Sequence, residues 1–173
     1  MAGEGSSHLE GIWNMLQHLD AAQIIDRLCE KLQDAELEEY DSEDELLADI
    51  GDMIMDDINT ELGGLASVWV KAGARGKTKS VWAYGTDFWP DITIEVRELP
   101  TIAIEVKLAK RDNDLAESVA SAIGKALIYS VQYSHVIAFV LDRTESDLRQ
   151  HWFDSEIEDQ LWENHRISLV IRQ

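Results

Sequence analysis

Apolar and polar positions alternate most clearly between Ile92 and Ile104, where the chain reads ITIEVRELPTIAI. Ile92, Ile94 and Val96 alternate with Thr93 and Glu95. A second β-branched run, Thr101 to Ile104, follows a predicted turn at Glu98-Leu99-Pro100. This pattern predicts two strands joined tightly. The period then changes. Over residues 113–134, Leu115, Val119, Ile123, Ala126, Leu127 and Val131 recur at spacings near three and four, which predicts an amphipathic helix. Asp112 or Asn113 is its expected N-cap. Ser121, Lys125 and Tyr129 fall on another face, each four apart. His135 to Asp142 is nearly continuous apolar sequence, as in a central strand covered on both faces.

The first third reads as helices. His8 to His18 carries Leu9, Ile12, Trp13 and Leu16, with Leu19 just beyond. A second helix is expected from Ala21 to about Glu38, with Ile24, Ile25, Leu28 and Leu32 inward. A third begins near Ser42, with Glu45 at the capping-box position, and stops at Gly63-Gly64. Strands are predicted at Ser67 to Ala72 and Ser80 to Tyr84, on either side of a Gly-rich turn. Near the end, a helix from about Asp154 to Asn164 precedes a strand, Arg166 to Arg172, expected to join the sheet beside His135–Leu141.

A chain of 173 residues is long enough for one domain with a full core. No run of eighteen apolar residues is present, so no membrane helix is expected. MAGEGSSHLEG has no basic segment followed by an apolar one, so no signal peptide is expected. Cys29 is the only cysteine, which excludes an internal disulfide and a zinc-thiolate cluster and fits a reducing cytoplasm. The five histidines show no paired ligand spacing.

Charge divides the chain unevenly. The formal net charge is −19. Residues 1–61 hold 18 acids against Arg27 and Lys31, a balance of −16, and residues 62–173 are near neutral at −3. The acidic block is a solvated face, a docking surface for a basic partner, or a gate that repels nucleic acid until a partner covers it.

The candidate chemistry lies in the near-neutral part. Asp91 follows Pro90 at the head of one predicted strand, and Glu105-Val106-Lys107 closes the next. Two carboxylates suit a hard divalent cation such as Mg²⁺ or Mn²⁺, which prefers oxygen and keeps several waters. Such an ion polarises a phosphoryl oxygen and lowers the pKa of bound water. Lys107 shares a strand face with Glu105, because side chains alternate with period two. Its ammonium would orient water or offset charge on a phosphate.

Pro90-Asp91 followed by Glu105-Val106-Lys107, between strands and ahead of a helix, resembles the PD-(D/E)xK nuclease superfamily. The resemblance covers roughly residues 44–142 and is specific around 88–141. It implies a restriction-endonuclease-like α/β fold: an αβββαβ core with a mixed central sheet flanked by helices. On that reading residues 1–42 are an acidic helical extension and 43–173 the nuclease-like domain. The resemblance implies that Asp91 and Glu105 bind metal with the Val106 carbonyl, and that Lys107 is catalytic. The RecB-like branch carries QxxxY on the following helix; here Lys125 stands at the glutamine position and Tyr129 matches. Both are expected at phosphate; the plainer alternative is a solvated lysine and a rim aromatic. The superfamily also implies an acid on the first core helix. Glu45, Asp49, Asp56, Asp57 and Glu61 compete, with Glu61 or Asp57 nearest in sequence to the first strand.

The bases of the near-neutral part cluster. Lys71, Arg75, Lys77 and Lys79 surround the Gly-rich turn, and Lys110 and Arg111 follow Lys107. They either line a groove for a phosphate backbone or decorate a basic hairpin tip. Trp82 and Trp89, near Asp91, are expected in the core or stacked on a base. The expected activity is phosphodiester hydrolysis in DNA, with RNA second, by one subunit of a larger assembly or a homodimer. The alternative is a catalytically silent scaffold on the same fold.

Overall fold

The computed structural model describes residues 21–62, 64, 66–71, 78–96, 99–111, 114–144 and 155–173. Two helices, α1 (Ala21–Asp34) and α2 (Glu43–Leu62), lead into β1 (Ala66–Val70). A small hairpin follows, β2 (Val81–Ala83) and β3 (Thr86–Phe88). The chain continues through β4 (Ile92–Val96), β5 (Leu99–Ala109), α3 (Asp114–Tyr129), β6 (His135–Asp142), α4 (Ser155–His165) and β7 (Ile167–Arg172). The result is α/β, with a mixed five-stranded sheet in the order β1-β4-β5-β6-β7 flanked by helices. β1, β4 and β5 are antiparallel neighbours, and β5, β6 and β7 run parallel. No helix among the described residues is long and apolar enough to cross a membrane.

The two sheet faces are covered by different helices. Ile102, Ile104 and Val106 of β5, with Ile137, Phe139 and Leu141 of β6, meet α1 and α2. Ala103 and Ala109, with Val136, Ala138 and Val140, meet α3 and Leu161 of α4. The alanines are where α3 lies close to the sheet. Ile24, Ile25, Leu28 and Leu32 of α1 belong to the same core as α2. The expected division at residue 42 therefore does not follow the packing: α1 is a layer of the domain, and its apolar stripe needs the sheet.

Three local expectations are corrected. β1 does not pair with the strand after the Gly-rich turn; it pairs with β4, and β2 pairs with β3 through Tyr84-Gly85. Tyr84 and Gly85 both have positive φ, 52° and 81°, which suits the twist of a two-residue hairpin. The turn between β4 and β5 comes earlier than Glu98-Leu99-Pro100, because Leu99 and Pro100 already pair with Val96 and Glu95 across a bulge at Ile94/Glu95. The helix ends at Tyr129, not at 134, and its inward face is Leu115, Val119, Ala122, Ala126 and Tyr129. Leu127 and Val131, expected inward, are exposed. Other expectations agree: α2 starts just after Ser42, whose Oγ accepts from the Glu45 N–H at 3.3 Å, and β7 pairs with β6. The predicted helix at 8–18 and the caps Asp112 and Asn113 lie outside the described residues.

Gly51 lets α2 lie close against β1. A methyl at this position would stand 2.8 Å from Val70 Cγ2 and 3.1 Å from Cγ1. Valine is stiff at χ1, so its methyls cannot both retreat. Gly51→Val is expected to lower stability by about 1–3 kcal/mol in urea unfolding, with partial recovery on adding Val70→Ala.

Candidate active site

One row across the sheet carries the polar centre. Val70 pairs with Ile92, and Ile92 with Ile104. The next step along each strand sets Lys71 beside Asp91 and Asp91 beside Glu105, and Glu105 pairs with Ala138. Backbone bonds hold the row: Lys71 N–H donates to the Asp91 carbonyl at 2.8 Å, and Asp91 N–H to the Ile104 carbonyl at 3.1 Å. Side chains opposite one another in an antiparallel pair share a face. Here that face is the one under α3. Beyond Asp91, β5 loses its β4 neighbour, and Val106 N–H donates to Asp91 Oδ2 at 3.0 Å instead. A strand residue sends its N–H and C=O to the same side, so the Val106 carbonyl faces this same opening.

Asp91 is 5% exposed and Glu105 is fully buried. Glu105 Oε1 accepts from Lys125 Nζ at 2.5 Å and lies 3.1 Å from Lys107 Nζ. The Tyr129 hydroxyl lies 3.1 Å from Glu105 Oε2 and 3.0 Å from the Trp89 carbonyl. Lys125 and Tyr129 are four apart on α3, so one helix face offers donors to both oxygens of one carboxylate. Asp91 Oδ1 pairs with Lys71 Nζ at 3.3 Å. Lys107 Nζ also donates to Glu43 Oε1 at 2.7 Å.

Burial pushes the Glu105 carboxyl above the ordinary carboxylate range, and the charge of Asp91 adds to this; Lys125 and Lys107 offset only part. Burial works against the Lys107 ammonium, but the hydrogen bond to Glu43 and the charge of Glu105 outweigh it and raise its pKa. Lys107 is therefore a cation at neutral pH. Burial and then the Glu105 charge push the Tyr129 phenol far upward, so it stays a donor.

The sequence-predicted residues divide as follows. Asp91, Glu105, Val106 and Lys107 come together, and Lys125, expected at phosphate, is paired with Glu105. Tyr129 joins them but as a fully buried donor to Glu105; it is not a rim group placed for phosphate. Lys71, expected on nucleic acid, is instead the partner of Asp91. Lys79 pairs with Glu95 at 2.8 Å, and Lys110 donates to the Asp41 carbonyl at 2.6 Å. Arg111 is exposed after β5. Arg75 and Lys77 lie outside the described residues.

The helix acid is corrected. Asp57 is held by Arg27 and Lys31, at 2.9 and 2.7 Å, and Glu61 by Arg27. Burial opposes the Asp57 charge, yet these bases hold its pKa below the ordinary value, as in a structural ion cluster. Glu43, at the opposite end of α2, reaches Lys107. The reason is direction: a short link joins the C-terminus of α2 to the start of β1, whereas Asp91 lies at the end of β1. Gly51 against Val70 fixes α2 half-way along, leaving its first turn beyond the strand. Arg143, donating to the Leu37 and Glu38 carbonyls, and Lys110 tie the preceding link to this end of the sheet. The available signal was the helix-to-strand reversal, not closeness in sequence.

The donor set fits a hard divalent cation. Asp91 and Glu105 supply carboxylate oxygen, and two such ligands leave room for water. Lys71 and Lys125, whose side chains are 49% and 33% exposed, pair with these carboxylates. No group of three or more His, Cys, Asp or Glu is gathered among the described residues. The chain matches no family model, no curated protein and no solved structure.

The raised Glu105 pKa has a stability consequence. Native Glu105 keeps its proton above pH 4.5, where the unfolded chain releases it, so this group's contribution is full below that pH and falls as pH rises through the native pKa. Glu105→Gln should flatten the loss of stability from pH 4.5 upward, read as the wild-type-minus-variant difference in urea unfolding.

Proposed function

We propose that this chain is a metal-dependent nuclease of the PD-(D/E)xK type that hydrolyses phosphodiester bonds in DNA. One observation carries the reading. Asp91 and Glu105, buried and side by side in the sheet, share their opening with Lys107 and the Val106 carbonyl. A structural pair needs no repulsion between neighbouring carboxylates, whereas a cation site does. The mixed sheet, with α3 crossing between parallel β5 and β6, supports a restriction-endonuclease-like arrangement.

Asp91, Glu105 and the Val106 carbonyl would hold Mg²⁺ or Mn²⁺, which when bound supplies Lewis acidity and a more acidic water. Lys107 remains protonated, so it offsets charge developing on the phosphate rather than accepting a proton. Glu43 positions that ammonium. Tyr129 fixes Glu105 Oε2 and thereby its orientation. Lys125, whose side chain is one-third exposed beside Glu105, would offer its ammonium to phosphate. No base-reading element is evident among the described residues, so a protein partner or a second copy would supply sequence choice.

A scaffold role is favoured by a different fact: protein donors already meet the oxygens of Asp91 and Glu105. Cation binding separates the two. Mg²⁺ or Mn²⁺ should raise the melting temperature at neutral pH in the wild type and not in Asp91→Asn, by mass action on the native state. DNA should be cut with Mg²⁺ and spared with EDTA, with RNA cut less or not at all. Lys107→Ala should slow cutting by roughly 100-fold or more. A chain that neither gains stability from these ions nor cuts any substrate is a scaffold.

A further inference from the structure

The β2–β3 hairpin presents rings to solvent beside this site. Trp82 pairs with Asp87, and the same register sets Ser80 opposite Trp89. Trp82 and Trp89 therefore share the outer side, and Tyr84 stands exposed at the tip. Val81 and Phe88 face inward to the core under α3. Trp82 is 71% exposed, Tyr84 93% and Trp89 40%. No aliphatic side chain is exposed on this hairpin; the exposed Leu127, Val131 and Ile157 belong to α3, the turn after it and α4.

Tyr84 is at odds with folding economy. It adopts φ 52°, a region that glycine or asparagine enters far more easily than a bulky residue. A ring this exposed gains little from packing in return. Unfavourable backbone geometry kept without a packing reason points to a role in recognition. The hairpin is also tied to the site. The Tyr129 hydroxyl bridges the Trp89 carbonyl and Glu105, and Trp89 stands two residues before Asp91. Lys71 and Lys79, each with a half-exposed side chain, flank the hairpin in sequence.

We infer that the outer face of this hairpin stacks the bases of unpaired DNA whose phosphate lies at the carboxylate pair, so that the substrate is single-stranded or frayed. This rests on the nuclease reading. Planar rings without aliphatic neighbours suit planar partners, and every base has a π-face for an aromatic side chain. In a duplex those faces are already stacked on one another. Lys71 and Lys79 are paired with Asp91 and Glu95 but half-exposed, and on leaving those partners they would bring positive charge to a phosphate backbone.

The test measures binding apart from cutting. A short fluorescent single-stranded DNA and its blunt duplex are titrated with the whole chain in EDTA, by anisotropy and tryptophan quenching. The single strand should bind on the order of 10-fold tighter than the duplex, and Trp82→Ala and Tyr84→Gly should each lose on the order of 10-fold. Tyr84→Gly should unfold at the same or a higher temperature, because glycine accepts positive φ, which separates recognition from folding. Equal affinity for duplex and single strand, unchanged affinity in both variants, or no binding of either DNA overturns the inference. So does a change in self-association, seen by sedimentation, with DNA affinity unaltered. Cutting in Mg²⁺ tells the two proposals apart. Duplex and single strand cut alike, and equally by Trp82→Ala, removes the stacking face and keeps the nuclease. Ring-dependent single-strand binding without cutting removes the nuclease alone.

Discussion

A fully buried carboxylate on the central strand governs this molecule. Glu105 has no solvent to stabilise its charge, so protein groups must do so, and they come from two directions. Lys107 comes from its own strand, while Lys125 and Tyr129 come from the crossover helix. Asp91 adds a second negative group where β4 begins. Burying an ionised carboxylate costs several kcal/mol even after relaxation. The surrounding donors offset this incompletely, as the raised pKa of Glu105 records. A fold that needed only stability would place an alanine or valine here.

That constraint explains the packing of α3. Its apolar stripe is rotated toward Tyr129, and Leu127 is left at the surface because the helix turns Lys125 and Tyr129 to Glu105. Ala103, Ala122, Ala126 and Ala138 keep the helix near enough for short bonds. A hydrophobic pattern measures apolar area, whereas here the orientation is set by hydrogen bonds to one charge. The same balance shapes the other face of the sheet. The acidic first third is not uniformly a solvated surface, since Arg27 and Lys31 of α1 neutralise Asp57 and Glu61 while α1 packs into the core.

The elements of the chain were largely legible in one dimension. Period-two and near-3.6 spacings placed β4, α2, β6, β7 and the start of α3 close to their observed bounds, because each buries a face whose rhythm follows from backbone geometry. The grouping of Asp91, Glu105 and Lys107 was legible for the same reason: two adjacent strands and a short turn leave few registers. Less was legible wherever pairing joined distant segments. β1 passed over the nearer β2 for β4, because β4 carries the apolar face that the sheet must bury.

By itself, then, the order of residues determined where strands and helices form and which acids and lysine begin and end the central hairpin. Only the folded chain decided which helix acid reaches Lys107, that Lys71 balances Asp91, and that Tyr129 is an internal donor. Those outcomes depend on helix direction and on charge pairing across the sheet. Coulomb and hydrogen-bond energies depend on distance in space, and a sequence carries no distances between residues far apart along it.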